Sequence, residues 1–242
     1  MIFPKIKIFC LYYDRFTNAT TSLVLSKEKI KHTVLCHNNA DKFNCIGEYG
    51  TLEETNLPKG VGYNMNYALS QISYGDWCIM VSDDYLESRI LKNGEFEKCS
   101  FSQIFNELFV TIEKADQIGV KMIGLNVSGN SFYAKKKYSK YGLIDTRLFA
   151  IKKTPFKWDP EIQTIADYYA TAYHLKHYGG NLIINYCYAD FKRYGEGGLG
   201  TKKERMSQKI KDCKKLFIEF PKNVSYKDKV GFPKYSHIAV KR

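Results

Sequence analysis

Apolar and polar positions alternate over residues 5–13, KIKIFCLYY, and again over 32–38, HTVLCHN. A period of two predicts a strand in each place. The intervening TNATTSLVLSKEKIK includes a short helix. The period then lengthens: Met65, Ala68, Leu69 and Ile72 fall at i, i+3, i+4 and i+7, which predicts an amphipathic helix that Gly75 ends. Next comes GDWCIMVSDDY, an apolar run from Trp77 to Val81 that stops on two adjacent carboxylates, Asp83 and Asp84. Ile104, Leu108, Ile112 and Ala115 mark one side of a helix over 102–117. Strands follow over 120–127 and 141–153, a helix over 164–180 that Gly179 and Gly180 end, a strand over 181–191 and a last helix from Arg205 to Phe220. Strands alternating with helices predict an α/β fold, a Rossmann-like, mostly parallel central sheet with helices on both faces. Open sheets of that kind bind ligands at the carboxyl ends of their strands, which is where Asp83 and Asp84 fall.

Composition refines the picture. At 242 residues with 44% hydrophobic side chains the chain can bury a sizeable core. No stretch is apolar enough to span a membrane, and no small-residue cleavage site follows the opening apolar run, so neither membrane insertion nor a signal peptide is expected. The seven cysteines show no CxxC pair and no zinc-ligand spacing. They read as reduced, packed thiols of a cytoplasmic protein. The net charge of +12, from 37 basic against 25 acidic residues, favours a polyanionic partner. A Lys-rich surface without any such partner is the plainer reading.

The order of features over residues 5–87 resembles GT-A glycosyltransferases of the family-2 type: a strand ending on Asp14 and Arg15, a Gly-containing loop, a helix carrying Asn64 and Asn66, then a strand closing on a carboxylate pair. Two departures stand out. The helix has Met65 where the family often has Arg before its Asn, and the DxD triplet begins with Ser82. The second half, WDPEIQTIADYYATAYHLKHYGG through YGEGGLG to LFIEFP, is similar to the TET-associated glycosyltransferases, which attach sugar to hydroxymethylated pyrimidines in DNA. The resemblance implies one GT-A domain over 1–242, with a nucleotide-sugar half (1–87), an acceptor half (88–220) and a basic tail (221–242). It implies a UDP-sugar donor, Mn²⁺ or Mg²⁺, and double-stranded DNA with hydroxymethylated bases as acceptor, a phage setting included. A surface polysaccharide or lipid-linked saccharide is the alternative acceptor, and a non-catalytic nucleic-acid-binding protein the alternative class.

The resemblance also implies roles. Asp84 would hold the metal, because hard oxygen ligands suit hard cations, and His237 could join its shell. Asp83, Ser82, Tyr12, Asp14, Arg15, Asn64 and Asn66 would contact the nucleotide-sugar; an acidic turn, a surface ion pair and an ordinary helix start are the competing readings. Asp167 would be the catalytic base, with Asp159 and Glu161 as fallbacks. Its competing reading is a capping box with Thr164 as N-cap. Gly197, Gly198 and Arg205 could close over a diphosphate. Lys135, Lys136, Lys137 and Lys140, interleaved with Tyr133, Tyr138 and Tyr141, suit a DNA surface, since lysines meet phosphates and tyrosines stack on bases. A solvated loop would look the same.

Overall fold

The structure is a computed structural model that describes residues 6–12, 20–37, 46–58, 60–192, 202–227, 230–231, 233–235 and 237–241. The first half runs β1 (Lys7–Leu11), α1 (Thr20–Lys27), β2 (His32–His37), β3 (Gly50–Thr55), α2 (Val61–Ser70) and β4 (Trp77–Ser82). A hairpin, β5 (Tyr85–Lys92) and β6 (Glu95–Cys99), leads to α3 (Phe101–Gln117) and β7 (Met122–Leu125). Then come a 3-10 turn (Ser131–Ala134), β8 (Tyr138–Ser139), β9 (Leu148–Lys152), α4 (Ala166–Tyr178), β10 (Leu182–Ile184) and β11 (Cys187–Phe191). The chain finishes with α5 (Lys202–Glu219), β12 (Val224–Tyr226) and β13 (Ile238–Val240).

Among the described residues, eight strands form one sheet in the order β3-β2-β1-β4-β9-β7-β10-β8. β1, β2, β3 and β4 pair in parallel, as do β7 and β10, whereas β9 runs antiparallel between β4 and β7. A second, three-stranded sheet has the order β11-β5-β6. The large sheet is apolar on both faces, as a parallel sheet between helices must be. Phe9, Leu11, Cys78 and Met80 pack on the side of α2, α4 and α5, while Ile8, Cys10, Ile79 and Val81 pack on the side of α1 and α3. Successive residues of β1 and β4 thus feed opposite cores, which is why β4 is an unbroken apolar run over 77–81 and the alternation expected over 5–13 gives way to continuous burial over 8–11. The fold is the expected α/β one: a mostly parallel sheet with helices on both faces.

Several elements depart from the sequence reading, each for a physical reason. The hairpin β5–β6 turns on Asn93 and Gly94, both at positive φ (51° and 88°). Asn-Gly between alternating residues is a strong hairpin signal. Residues 181–191 form two strands in two sheets: β10 pairs with β7, and β11 crosses to β5 after Asn185 and Tyr186. Of the strand expected over 141–153, Leu148–Lys152 pairs in the sheet, as β9. The tail is packed in part: β12 and β13 pair, and Val224 and Ile238 are buried in the core with α4 and α5.

Candidate functional site

Topology assembles one edge of the large sheet. The parallel strands β1, β2, β3, β4, β7 and β10 all end there. The helices that return from that edge, α1, α2 and α4, therefore begin there. Antiparallel β9 delivers its amino end to the same place, so Arg147 meets Ser82, whose N–H donates to the Arg147 carbonyl at 2.8 Å.

The acidic turn after β4 is fixed by its surroundings. Thr21 Oγ1 donates to the Ser82 carbonyl (2.7 Å) and accepts the Tyr85 N–H (3.0 Å), and Thr20 Oγ1 donates to the Asp83 carbonyl (3.1 Å). The Lys192 N–H, just past β11, donates to the Asp84 carbonyl at 2.8 Å. Asp83 is buried and Asp84 half-buried. Ser82 donates from Oγ to Asp84 Oδ1 at 2.8 Å and so orients that carboxylate. Below them, burial first, then the charges of Asp83 and Asp84, push the Cys10 thiol pKa up.

Two site residues were not anticipated. Arg147 grips Asp145 with its guanidinium, Nε lying 2.9 and 3.0 Å from the two carboxylate oxygens and Nη2 bonding Oδ2 as well. Nη1 donates to the Phe191 carbonyl at 3.2 Å. Burial acts to lower the Arg147 pKa, but the paired Asp145, with Asp84 and Asp190 behind it, holds it above the usual value. Arg147 is thus a fixed cation in the field of the acidic turn. The signal was the Asp-x-Arg directly ahead of the apolar LFAIK run, which the single-strand reading of 141–153 concealed.

Asp167 stands in the first turn of α4. The capping box that competed for it does not form: the N-cap is Ile165, with no side-chain cap bond. Thr164 instead turns to α5, where Asp212 Oδ2 accepts its N–H (2.8 Å) and its hydroxyl (2.6 Å) along with the Gln163 N–H (3.1 Å). Asp167 Oδ1 accepts the Tyr168 N–H at 2.9 Å. Withdrawal from water, then the neighbouring Asp145 carboxylate, raise the Asp167 pKa to about 7 against the opposing backbone N–H bonds and Arg147. A carboxyl group with that pKa changes charge near neutral pH, as a general base requires.

The other expected residues take varied places. Asn66 commits both side-chain groups to the backbone of Trp158, accepting its N–H and donating to its carbonyl, each at 2.8 Å. Asn64 is buried and accepts the Thr55 hydroxyl at 3.4 Å. Tyr12 is buried at the end of β1 among the side chains between the sheet and α3. Arg205 lies half-buried in the first turn of α5, and His237 precedes β13, its carbonyl accepting the Lys227 N–H. Of the fallback bases, Asp159 and Glu161 both pair with Lys215 at 2.5 Å. Asp14, Arg15, Gly197 and Gly198 lie outside the described residues. Lys135, Lys136, Lys137 and Lys140 are exposed, on a loop whose backbone carbonyls at 136, 137 and 140 accept from Asn185 and Asn181. Among the described residues no three His, Cys, Asp or Glu side chains form a group that could hold a metal. The carboxylates adjacent on the acidic turn are Asp83 and Asp84. None of the described helices is long and apolar enough to cross a membrane.

No protein-family model matches this chain, and no curated protein matches it in sequence. Its fold does recur among solved structures. The crystal structure of a mycobacterial protein is similar over 98% of this chain and 82% of its own, with 9% identity and a TM-score of 0.55. S. aureus TarS 1–349 matches 88% of this chain and 66% of its own at 13% identity and a TM-score of 0.46. HddC from Yersinia pseudotuberculosis, complexed with GMP-PN, matches 87% of this chain and 99% of its own at 10% identity and a TM-score of 0.39. The mycobacterial protein shares the α/β fold with this chain.

Proposed function

We propose that this chain is a metal-dependent glycosyltransferase of the GT-A type, which moves a sugar from a UDP-sugar to a hydroxymethylated pyrimidine in DNA with inversion. The observation that carries the reading is the acid cluster at one sheet edge: a fixed Asp83–Asp84 turn, an Arg147 that feels Asp84, and an Asp167 with a pKa of about 7 that feels Arg147 and Asp145. The donor set at the turn is all oxygen, which suits Mg²⁺ or Mn²⁺, and Mg²⁺ is commonly held by one or two carboxylates plus substrate phosphates. When bound, such a cation neutralises the charge that develops on a departing diphosphate.

The chain's own residues supply the rest. Asp84, steadied by Ser82, would hold the cation, and Arg147 would add positive charge beside the leaving group. The Asp167 carboxylate would take the acceptor hydroxyl proton as its oxygen bonds the anomeric carbon. The bond from that carbon to the diphosphate breaks with its electron pair, and UDP departs. Attack opposite the leaving group inverts the centre. The four exposed lysines would lie along DNA phosphates, which predicts affinity that falls steeply with salt.

Incubating the protein with Mn²⁺, a panel of UDP-sugars and hydroxymethylcytosine DNA tests this directly. The expected result is UDP release matched by a hexose or pentose mass gain on the DNA, both lost in Asp84→Ala. UDP release with no gain on DNA redirects the reading to a saccharide acceptor. No UDP release with any donor rejects the transferase altogether.

A further inference from the structure

Beyond the acid cluster, the same edge of the sheet opens into a cavity of about 380 Å³ past the ends of β7 and β10. Leu125 and Ile183 line it with apolar side chains, Asn126, Ser128, Ser139 and Asn185 with polar ones, and Tyr133 and Tyr141 contribute aromatic rings. The size falls within the roughly 300–1,000 Å³ of small-molecule sites, which admits a base with part of its sugar.

The walls are held in place. Asn126 Nδ2 donates to the Asn185 carbonyl (2.9 Å) while its Oδ1 accepts from the Ser128 N–H (3.0 Å) and hydroxyl (3.1 Å). Asn185 Nδ2 donates to the Lys136 carbonyl (2.8 Å) and to Ser139 Oγ (2.7 Å), tying the lysine loop to the sheet. Gly142 lies in the wall at φ 146°, where a Cβ would come within 2.6 Å of Ile183 Cδ1. That backbone conformation is one that residues with a Cβ rarely adopt, so glycine lets the wall turn beside Ile183.

The mouth is unusual for a surface at rest. Tyr133 is 66% exposed, and its neighbour Phe132 is 63% exposed. Lys135 Nζ sits 4.4 Å from the Phe132 ring centroid, and Lys137 Nζ 5.2 Å from that of Tyr186. These amines meet aromatic faces and remain available to anions. Exposed rings beside exposed lysines are the combination that holds unstacked bases and their phosphates.

The cavity also adjoins the chemistry. Its wall residue Leu143 is two residues from Asp145, at most about 7 Å along the chain. Between them the Ile144 N–H donates to Thr171 Oγ1 of α4 at 3.1 Å, which ties this wall to the helix that carries Asp167.

We infer that this cavity receives a pyrimidine swung out of a DNA duplex, its ring against Tyr133, with Lys135, Lys136, Lys137 and Lys140 on the flanking phosphates. The inference rests on the DNA acceptor proposed above. Extrusion is the general solution when chemistry must reach a stacked base, and it is easiest at a mismatch.

The test compares two short duplexes by fluorescence anisotropy, one with a mismatched hydroxymethylcytosine and the other with an abasic site at the same position. Wild-type protein is expected to bind the first roughly tenfold more tightly, the worth of one stacked base. Tyr133→Ala should erase that difference without weakening abasic binding, and Val127→Trp, at an exposed lining position, should erase it by filling the mouth. Lys136→Glu should weaken both duplexes by the same factor. Equal wild-type affinity for the two duplexes, a preference that survives in Tyr133→Ala, or binding only to an oligosaccharide would overturn the inference. UDP release from the donor alone reads the transferase separately. UDP release without base preference removes the pocket and keeps the enzyme; base preference without UDP release does the reverse.

Discussion

Helices α2 and α4 both begin at the functional edge, and each carries a polar side chain that a family resemblance would assign to substrate. They have opposite fates. On α2, Asn66 is fully engaged with the Trp158 backbone and Asn64 meets Thr55, so these amides hold the fold together. On α4, the obvious structural partner of Asp167 is taken away, because Asp212 of α5 claims Thr164. Asp167 is left beside Asp145 and Arg147, with its pKa raised to about 7. A polar residue near a helix start therefore becomes a candidate for chemistry only after the fold's own demands on it are counted.

The sharpest way to break that comparison is to remove each side chain's chemistry and keep its shape. Asp167→Asn should lower sugar transfer by roughly 10²–10⁴-fold, the usual contribution of a general base. Its thermal stability should hold or rise, since an uncomfortable carboxylate is gone. A variant that still transfers sugar within tenfold of wild type would return Asp167 to the ranks of structural acids.

Asn66→Ala should show the converse. It leaves the Trp158 N–H and carbonyl without partners, a loss of about 2–4 kcal/mol in chemical denaturation. Transfer per folded molecule should change little. If stability holds and the donor KM rises instead, Asn66 serves the nucleotide and the contrast between the helices fails.

How much of this was legible beforehand follows from range. The apolar periods of β1, β4, α2 and α3 are local, so composition in a short window was enough to place them. The acidic turn was legible for the same reason, since a buried run that ends on two carboxylates needs no partner to be noticed. What the fold brings from afar was hidden. Arg147 reaches the site only because β9 inserts antiparallel beside β4, and nothing within residues 141–153 states that pairing. The removal of the capping box was equally hidden, since Asp212 lies 48 residues from Thr164. Asn93-Gly94 is a local signal too, a hairpin turn stated by two adjacent residues.

Asp212→Asn tests the link that frees Asp167. Losing the charge from three donors on one oxygen should cost about 1–2 kcal/mol of stability. Transfer should fall by less than in Asp167→Asn, because the base stays while its helix loosens. A restored Thr164–Asp167 cap would appear as a lowered pH midpoint for the rate.

The smallest expected effect is on the pH dependence of wild-type stability, where two groups on α4 oppose each other. His174 is buried among Phe156, Tyr173 and Tyr178, with Nδ1 2.7 Å from the Ala170 carbonyl; burial first lowers its pKa to about 4 from an ordinary 6.5. Below about pH 6.5 the unfolded chain binds a proton that the folded ring refuses. Stability from this group is therefore lost as pH falls towards 4, by roughly 3 kcal/mol in all. Asp167 works the other way. Its folded carboxyl keeps a proton up to about pH 7 that the unfolded chain releases near 3.8. Its contribution is present at acid pH and lost as pH rises through 7, by roughly 4 kcal/mol. Between about pH 4 and 6.5 these two slopes largely cancel, so in urea denaturation without added metal the wild-type profile should keep only the gentle acid-side loss from His32, whose pKa burial also lowers. Asp167→Asn should unmask His174, and the variant's stability should then fall more steeply than the wild type's as pH drops from 6.5 to 4. A variant profile no steeper than the wild type's would mean that His174 takes its proton in the folded state, and that the two sites on α4 are not the opposites that their surroundings make them.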